Sequence, residues 1–258
     1  MRNGVLRISF FSELILISVL LTPILIFLFK TDPAMLKKVA GDGEVWRAIE
    51  VTFFSAFVST LLGVIIGVPA GYFLARKRGA VFRFIENLVV LPTLIPHAIV
   101  GIMILLLSTE NNVVGSLLQK AGIYFVDHFV GIVAVVFFVS VSYIVSSAIS
   151  GFTSFPVSIE ETSYTLGIGS VKTFLHISLP LAFPSILRGA ILSFARAMSE
   201  TGALLIVATY PRTAQILILD RFETSGLKEA QAISFIVIFL SLTLFGLLFI
   251  TGTGKKRI

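Results

Sequence analysis

The chain contains no cysteine, so disulfides, thiol nucleophiles and thiolate metal sites are all excluded. Charge is scarce: 13% of the 258 residues are Asp, Glu, Lys or Arg, against about 25% in an ordinary soluble domain. The three histidines, at 97, 128 and 176, are too scattered to read as a metal cluster. No internal repeat, low-complexity tract or long linker is visible, and the sequence reads as one domain over 1–258. What fills the chain is apolar: 56% hydrophobic residues, including 24 Phe, and a mean hydropathy of +1.01. No single aqueous core of this length hides that much apolar surface, so the composition is that of an integral membrane protein. The net charge of +6 and pI near 9.7 would suggest nucleic acid in a soluble protein. Here they read as basic loops that orient a membrane protein, with no nucleic-acid partner.

A helix needs roughly 20 apolar residues to cross a bilayer core of about 30 Å. Six segments meet that length: 8–29, 48–75, 85–107, 129–152, 184–208 and 231–250. Lipid offers no partner to an open backbone, so all of them are expected to be helices. The first is too long for a signal peptide, and no small-residue cleavage site follows it; it reads as an uncleaved span. Arg2, Arg7, Arg76, Lys77, Arg78, Arg83, Lys172, Arg188, Lys255, Lys256 and Arg257 fall on one side of the membrane in this reading. Lys30, Lys37, Lys38, Arg47, Lys120, Arg212, Arg221 and Lys228 fall on the other. The first group is larger by a small margin, and it clusters at helix ends. The positive-inside rule therefore places both termini, and the long segment 153–183, in the cytoplasm of a multi-pass cell-membrane protein.

That segment is the most informative part of the chain. Glu161 is followed by Gly167 six residues on, Ile177 sixteen on, then Leu179 and Pro180. In physical terms, Ser158 is expected to cap a helix with Glu160 and Glu161 in its first turn, Ser158 and Glu161 forming a capping box. Gly167 and Gly169 then break it near Leu166. A second short helix over 170–177 is expected to end before Pro180, and Pro184 to reopen the chain into the fifth span. The product is a compact elbow that can sit in a cleft of a partner. The strings Gly167–Lys172 and Thr251–Lys255 lack Walker spacing, so no nucleotide site is expected on this chain.

Inside the membrane, Gly63, Gly67 and Gly71 form a small-residue stripe suited to close helix packing. Pro92 and Pro96 are expected to kink the third span, and His97 follows directly, either as a structural hydrogen-bonder or as a lining of the passage. Arg196 and Glu200 both lie within the fifth span. Charges there are costly, roughly 2.5–3.5 kcal/mol each on insertion scales, and point to function. Their spacing also lets them neutralise one another. Ser199, Thr201 and Gly202 complete a polar break of low helix propensity, and Ser199–Gly202 is taken as part of the substrate pathway.

The Glu161/Gly167/Ile177/Leu179/Pro180 pattern resembles the cytoplasmic coupling segment of ABC-transporter permeases, whose family pattern is Glu-Ala-Ala, Gly, Ile-x-Leu-Pro. Thr162 and Ser163 replace the usual alanines. Ser199-Glu200-Thr201-Gly202-Ala203 before Tyr210-Pro211, together with Leu91-Pro92 and Ile95-Pro96-His97, resembles molybdate/tungstate permeases, especially archaeal ones; Thr201 stands where they have Phe. Sulfate permeases share a similar Glu-aromatic-Gly pattern and are the alternative. The resemblance covers roughly 45–250. It implies an all-α type I ABC importer permease of six transmembrane helices, with a coupling helix between spans four and five. It further implies a homodimer, two copies of a cytoplasmic ATPase that binds the ATP and Mg, and an extracytoplasmic oxyanion-binding protein. Glu160, Glu161, Gly167, Ile177 and Pro180 would meet the ATPase, while Ser199, Glu200, Thr201, Gly202 and His97 would line the pathway. No appended regulatory domain is expected after the sixth span. An intramembrane enzyme is disfavoured because no Asp lies in a span and His97 has no nucleophile beside it. A secondary carrier is disfavoured because ionisable groups lie deep in one span only.

Overall fold

Backbone groups that cannot reach water must pair within their own segment, and a computed structural model shows that solution along the chain. It describes the backbone of residues 2–253 and the side chains of 9–247; within these limits there is no strand. The charges at Arg2, Arg7, Lys255, Lys256 and Arg257, and Thr251–Lys255, lie outside the residues whose side chains are described. The elements are α1 (Arg2–Phe29), α2 (Pro33–Ala40), α3 (Gly43–Arg76), α4 (Ala80–Leu94), α5 (His97–Leu107), α6 (Val113–Lys120) and α7 (Phe129–Thr153). After these come α8 (Ser158–Thr165), α9 (Ser170–Thr173), a π turn (Phe174–Ser178), α10 (Leu179–Met198), α11 (Leu204–Val207), α12 (Ala214–Ser225) and α13 (Leu227–Thr253).

The short helices start where side chains cap them. Asp32 accepts from the Ala34 N–H at 2.9 Å, with Pro33 at the first helical position; Asp42 accepts from Glu44 at 2.8 Å and Asn112 from Gly115 at 2.7 Å. The spans follow the apolar runs, with three corrections. The third is not one kinked helix over 85–107 but a broken pair, α4 and α5, bent by 105°. Pro92 is accommodated inside α4; the break falls where Pro96 forces Ile95 into extended backbone (φ −80°, ψ 128°). Counting that pair as one span gives six, and counting straight helices alone gives five. The elbow does not close before Pro180. The π turn widens the ladder just ahead of that proline, and Ser170–Met198 runs on as one helical span of 29 residues. Nor does the fifth span reach 208; it stops at Met198. Arg188, counted with the charges of one membrane side although it falls inside 184–208, lies within that span.

α7 is the central helix. It packs most extensively on α3 and α10, which also touch each other. Ile132, Val135, Val136, Ile144, Ala148 and Phe152 of α7 are almost wholly buried. The glycine stripe of α3 is the seam: a Cβ on Gly71 would lie 2.6 Å from that of Ala148, and Gly63 and Gly67 face Ile144 and Val145. Van der Waals packing of small residues, not water exclusion, is what joins helices in lipid. α1 stands apart. None of its side chains from Ser9 to Phe29 is buried, and Gln231 of α13 bonds its end at the Phe27 carbonyl, 3.0 Å.

Two ends follow from this topology. The near end carries α8 and α9. At the far end, Arg221 of α12 bonds Asp42, Glu44 and Glu229, while Arg212 bonds Glu44 and Asp220, tying α12 to the start of α3. Burial works against the Arg221 charge, but these carboxylates outweigh it and raise its pKa further.

Candidate functional site

At the near end, the short helix α8 opens without a capping box. Val157 takes the cap position with no side-chain bond, and Ser158 is the first helical residue. Glu160, in the first turn of α8, has partners elsewhere in the bundle. Its Oε1 accepts from Arg76 at 2.8 Å and from the Ser178 hydroxyl at 2.5 Å; Oε2 accepts from Arg76 Nε at 2.9 Å and from Tyr72 at 3.3 Å. The third Arg76 nitrogen, Nη1, donates to the Phe152 carbonyl at 2.7 Å. The buried Glu160–Arg76 pair thus fastens the ends of α3 and α7 and the π turn to α8. A fork-to-fork arginine pair is the strongest arrangement available for this. Burial alone would push the Glu160 carboxyl up; the bonds from Arg76 and Ser178 outweigh it and hold it below the usual carboxylate range.

The other half of the elbow is fixed by Ser163, whose buried hydroxyl meets that of Thr173 at 2.8 Å. An alanine there would lack this bond between α8 and α9. Gly167 turns the chain at φ +80°, a left-handed conformation that a side chain resists. Outward from this scaffold face Glu161, exposed and without a side-chain partner among the described residues, and the largely apolar side chains of Tyr164, Leu166, Val171 and Leu175, Leu166 being 75% exposed. Ile177 is half-buried and Pro180 exposed. Glu161 and Gly167 therefore share the outer surface, whereas Glu160 is turned into the protein.

The second site lies where α10 stops. Ser199 closes the helix, residues 200–203 leave helical geometry, and α11 resumes at Leu204. Glu200 is completely buried. Its Oε1 accepts from the Ala203 N–H at 2.9 Å, supplying a partner for backbone the break has freed. Its Oε2 accepts from Arg196 at 2.8 Å and from His97 Nδ1 at 2.6 Å. An ionised carboxylate only accepts, so the His97 proton is assigned to Nδ1, and Nε2 is left to accept from Arg196 at 3.2 Å. The i, i+4 pairing of Arg196 with Glu200 is present. The addition is His97, delivered from 103 residues away because the 94–97 break starts α5 at that residue. Gly202 lets the chain pass close to the His97 side chain. Ser199 is exposed, Thr201 and Gly202 partly so, and the His97 side chain is about half-exposed, at 52%. Charged and polar groups do not face hydrocarbon. Beyond this break, Tyr210 and Pro211, joined by a cis bond, line a far-end cavity of about 710 Å³ with Glu44, Arg47, Glu50 and Arg212.

Sequence reasoning missed Arg76, Tyr72 and Ser178. Arg76 was visible only as an orienting charge, and its carboxylate partner is 84 residues distant.

A multi-pass helical bundle with a rigid elbow at one end and a polar break within the spans defines the membrane-embedded part of a transporter. Residues 67–253 match the family described as binding-protein-dependent transport system inner membrane component, and the chain belongs to that family, the permeases of ABC transporters. It is 41% identical over 226 residues to the molybdate/tungstate transport system permease protein WtpB of Pyrococcus furiosus, covering 87% of this chain and 86% of that one. It is 40% identical over 235 residues to the protein of the same description from Thermococcus kodakarensis, covering 90% of each. Among solved structures, a bacterial ABC transporter involved in the import of the acidic polysaccharide alginate aligns with a TM-score of 0.78 at 15% identity, over 99% of this chain and 97% of that one. That likeness establishes the type I importer fold alone.

Proposed function

We propose that this chain is the pore-forming permease of an ATP-driven importer for the tetrahedral oxyanions tungstate and molybdate. Two copies form the passage, two copies of a cytoplasmic ATPase bind ATP and Mg and hydrolyse the nucleotide, and an extracytoplasmic binding protein delivers the ion to the far end. Both termini and the near end are cytoplasmic. Lipid or the second copy covers the unburied α1. Glu161, Gly167 and the exposed apolar side chains of the elbow enter a cleft of the ATPase, and Ile177 and Pro180 carry the displacement into α10. Glu160 acts from inside, locking the elbow to α3 and α7. Closure of the ATPase pair then moves the elbows as rigid bodies and reshapes the passage at Ser199–Gly202 and His97. The observation that carries this reading is the anchoring of an exposed apolar knob to three spans through the buried Glu160–Arg76 pair. The choice of ion follows the names of the archaeal relatives, with which this chain shares some 40% of its residues.

The test is reconstitution with the partner ATPase and binding protein in proteoliposomes. Tungstate and molybdate are expected to stimulate ATP hydrolysis and to enter the lumen. Stimulation by sulfate with none by the other two would transfer the assignment to a sulfate permease.

A further inference from the structure

Arg188 is a basic residue within the fifth span that neither site uses. It is exposed, and no hydrogen-bond or ion-pair partner is present for it among the described residues. Its depth is fixed by its neighbour. Gly189 packs against Ser147 and the Tyr143 carbonyl of α7, and Ser147 precedes the near end of α7 at Thr153 by six residues, about 9 Å. Arg188 therefore sits inside the bundle's near-end mouth. Arg196 lies eight residues further along α10, about 12 Å towards the far end.

The face on which it sits is equally informative. Leu181, Pro184, Arg188 and Leu192 are exposed at helical spacing along α10, and Ser199 is exposed just past its end. Across the Gly189 seam, α7 exposes Ser146 and Ser150. At the top of the same stripe Ser199 lies 3.4 Å from Arg196, whose other side-chain bonds go to Glu200 and His97. A lipid-facing wall would be apolar throughout; an unpaired guanidinium at this depth faces water or an anion. The two arginines differ in one respect: Glu200 neutralises Arg196, and no carboxylate among the described residues neutralises Arg188.

We propose that Arg188 is a substrate-contact residue of the passage, a second station for the oxyanion after it leaves the Arg196–Glu200–His97 constriction. The planar guanidinium fork matches two oxygens of a tetrahedral oxyanion, and exposure to water keeps the contact weak enough to release the ion. This rests on the oxyanion-permease reading and adds a residue to it.

Because the chain has no native cysteine, Arg188→Cys provides a unique thiol. In the reconstituted transporter, tungstate uptake by this variant is expected to fall about tenfold, the size of one lost charge-assisted contact, while stimulated ATP hydrolysis persists. Modification with cationic aminoethyl methanethiosulfonate should restore uptake, and the anionic sulfonatoethyl reagent should not. Arg188→Lys should retain uptake where Arg188→Gln loses it, a comparison that decides the matter if the cysteine variant fails to assemble. Unchanged uptake in Arg188→Cys or Arg188→Gln, a thiol that neither reagent reaches, or equal effects of the two reagents would overturn the proposal for Arg188 alone. A wild-type transporter that takes up no oxyanion overturns the parent reading as well.

Discussion

Replacing Glu200 with alanine is expected to bring uptake to background and to lower the melting temperature of the purified permease. The carboxylate is fully buried and bonded to Arg196, His97 and the Ala203 N–H. Its loss leaves a guanidinium without its counter-charge and a backbone donor without a partner, at the one place where α10 has already given up its helical ladder. Removing one member of a buried pair typically costs about 3–5 kcal/mol, a large part of the 5–15 kcal/mol of a typical domain. Glu200→Gln keeps an acceptor for Ala203 but not the charge, and should fall between wild type and Glu200→Ala in melting temperature. Normal uptake by Glu200→Ala at normal expression would remove this residue from the passage altogether.

The second large effect is expected at the elbow. Arg76→Ala or Glu160→Ala should leave the spans folded but free the elbow, so that ATP is hydrolysed without matching uptake. Each breaks the same buried pair, so about 3–5 kcal/mol of docking energy is at stake in either variant. The double variant should cost much less than the sum, because the partners share one interaction. The pH dependence has a definite sign. The folded-state pKa of Glu160 is depressed, so its contribution is fully present above the ordinary carboxylate pKa and is lost as pH falls through the lowered value. Hydrogen exchange over 158–178 should therefore remain protected at pH 5 and rise only in stronger acid. Glu160→Gln should abolish that acid step. An acid step of the same size in Glu160→Gln would assign it to another group.

Local chemistry made much of this legible, and its limits are instructive. The apolar runs located the spans because hydrocarbon forces helices, and the Glu161-to-Pro180 spacing located the elbow because a glycine turn and a proline-bearing junction leave marks within twenty residues. Gly63, Gly67 and Gly71 disclosed the α3–α7 seam, since only small residues allow that approach. What failed was competition between local and distant partners. Ser158 and Glu161 had the spacing of a capping box, but docking against Arg76 set where α8 begins, and no local pattern announces an arginine 84 residues upstream. Pro180 read as a stop signal because a π turn that absorbs it has no sequence mark. His97 could be named but not paired, since its partner depends on the 105° bend between α4 and α5. Arg188 was counted as an orienting charge although it fell within 184–208, and the helix places it about two and a half turns inside α10.

The central claim is that the elbow is gripped by the ATPase, and site-directed cross-linking tests it most directly. A single cysteine in place of exposed Leu166, carrying a photoreactive group, should yield an adduct with the ATPase in the assembled transporter. The same group at Tyr210, on the far end, should yield none. An elbow thiol labelled only from outside the cell, or an ATPase adduct from Tyr210 and not from Leu166, would contradict the account.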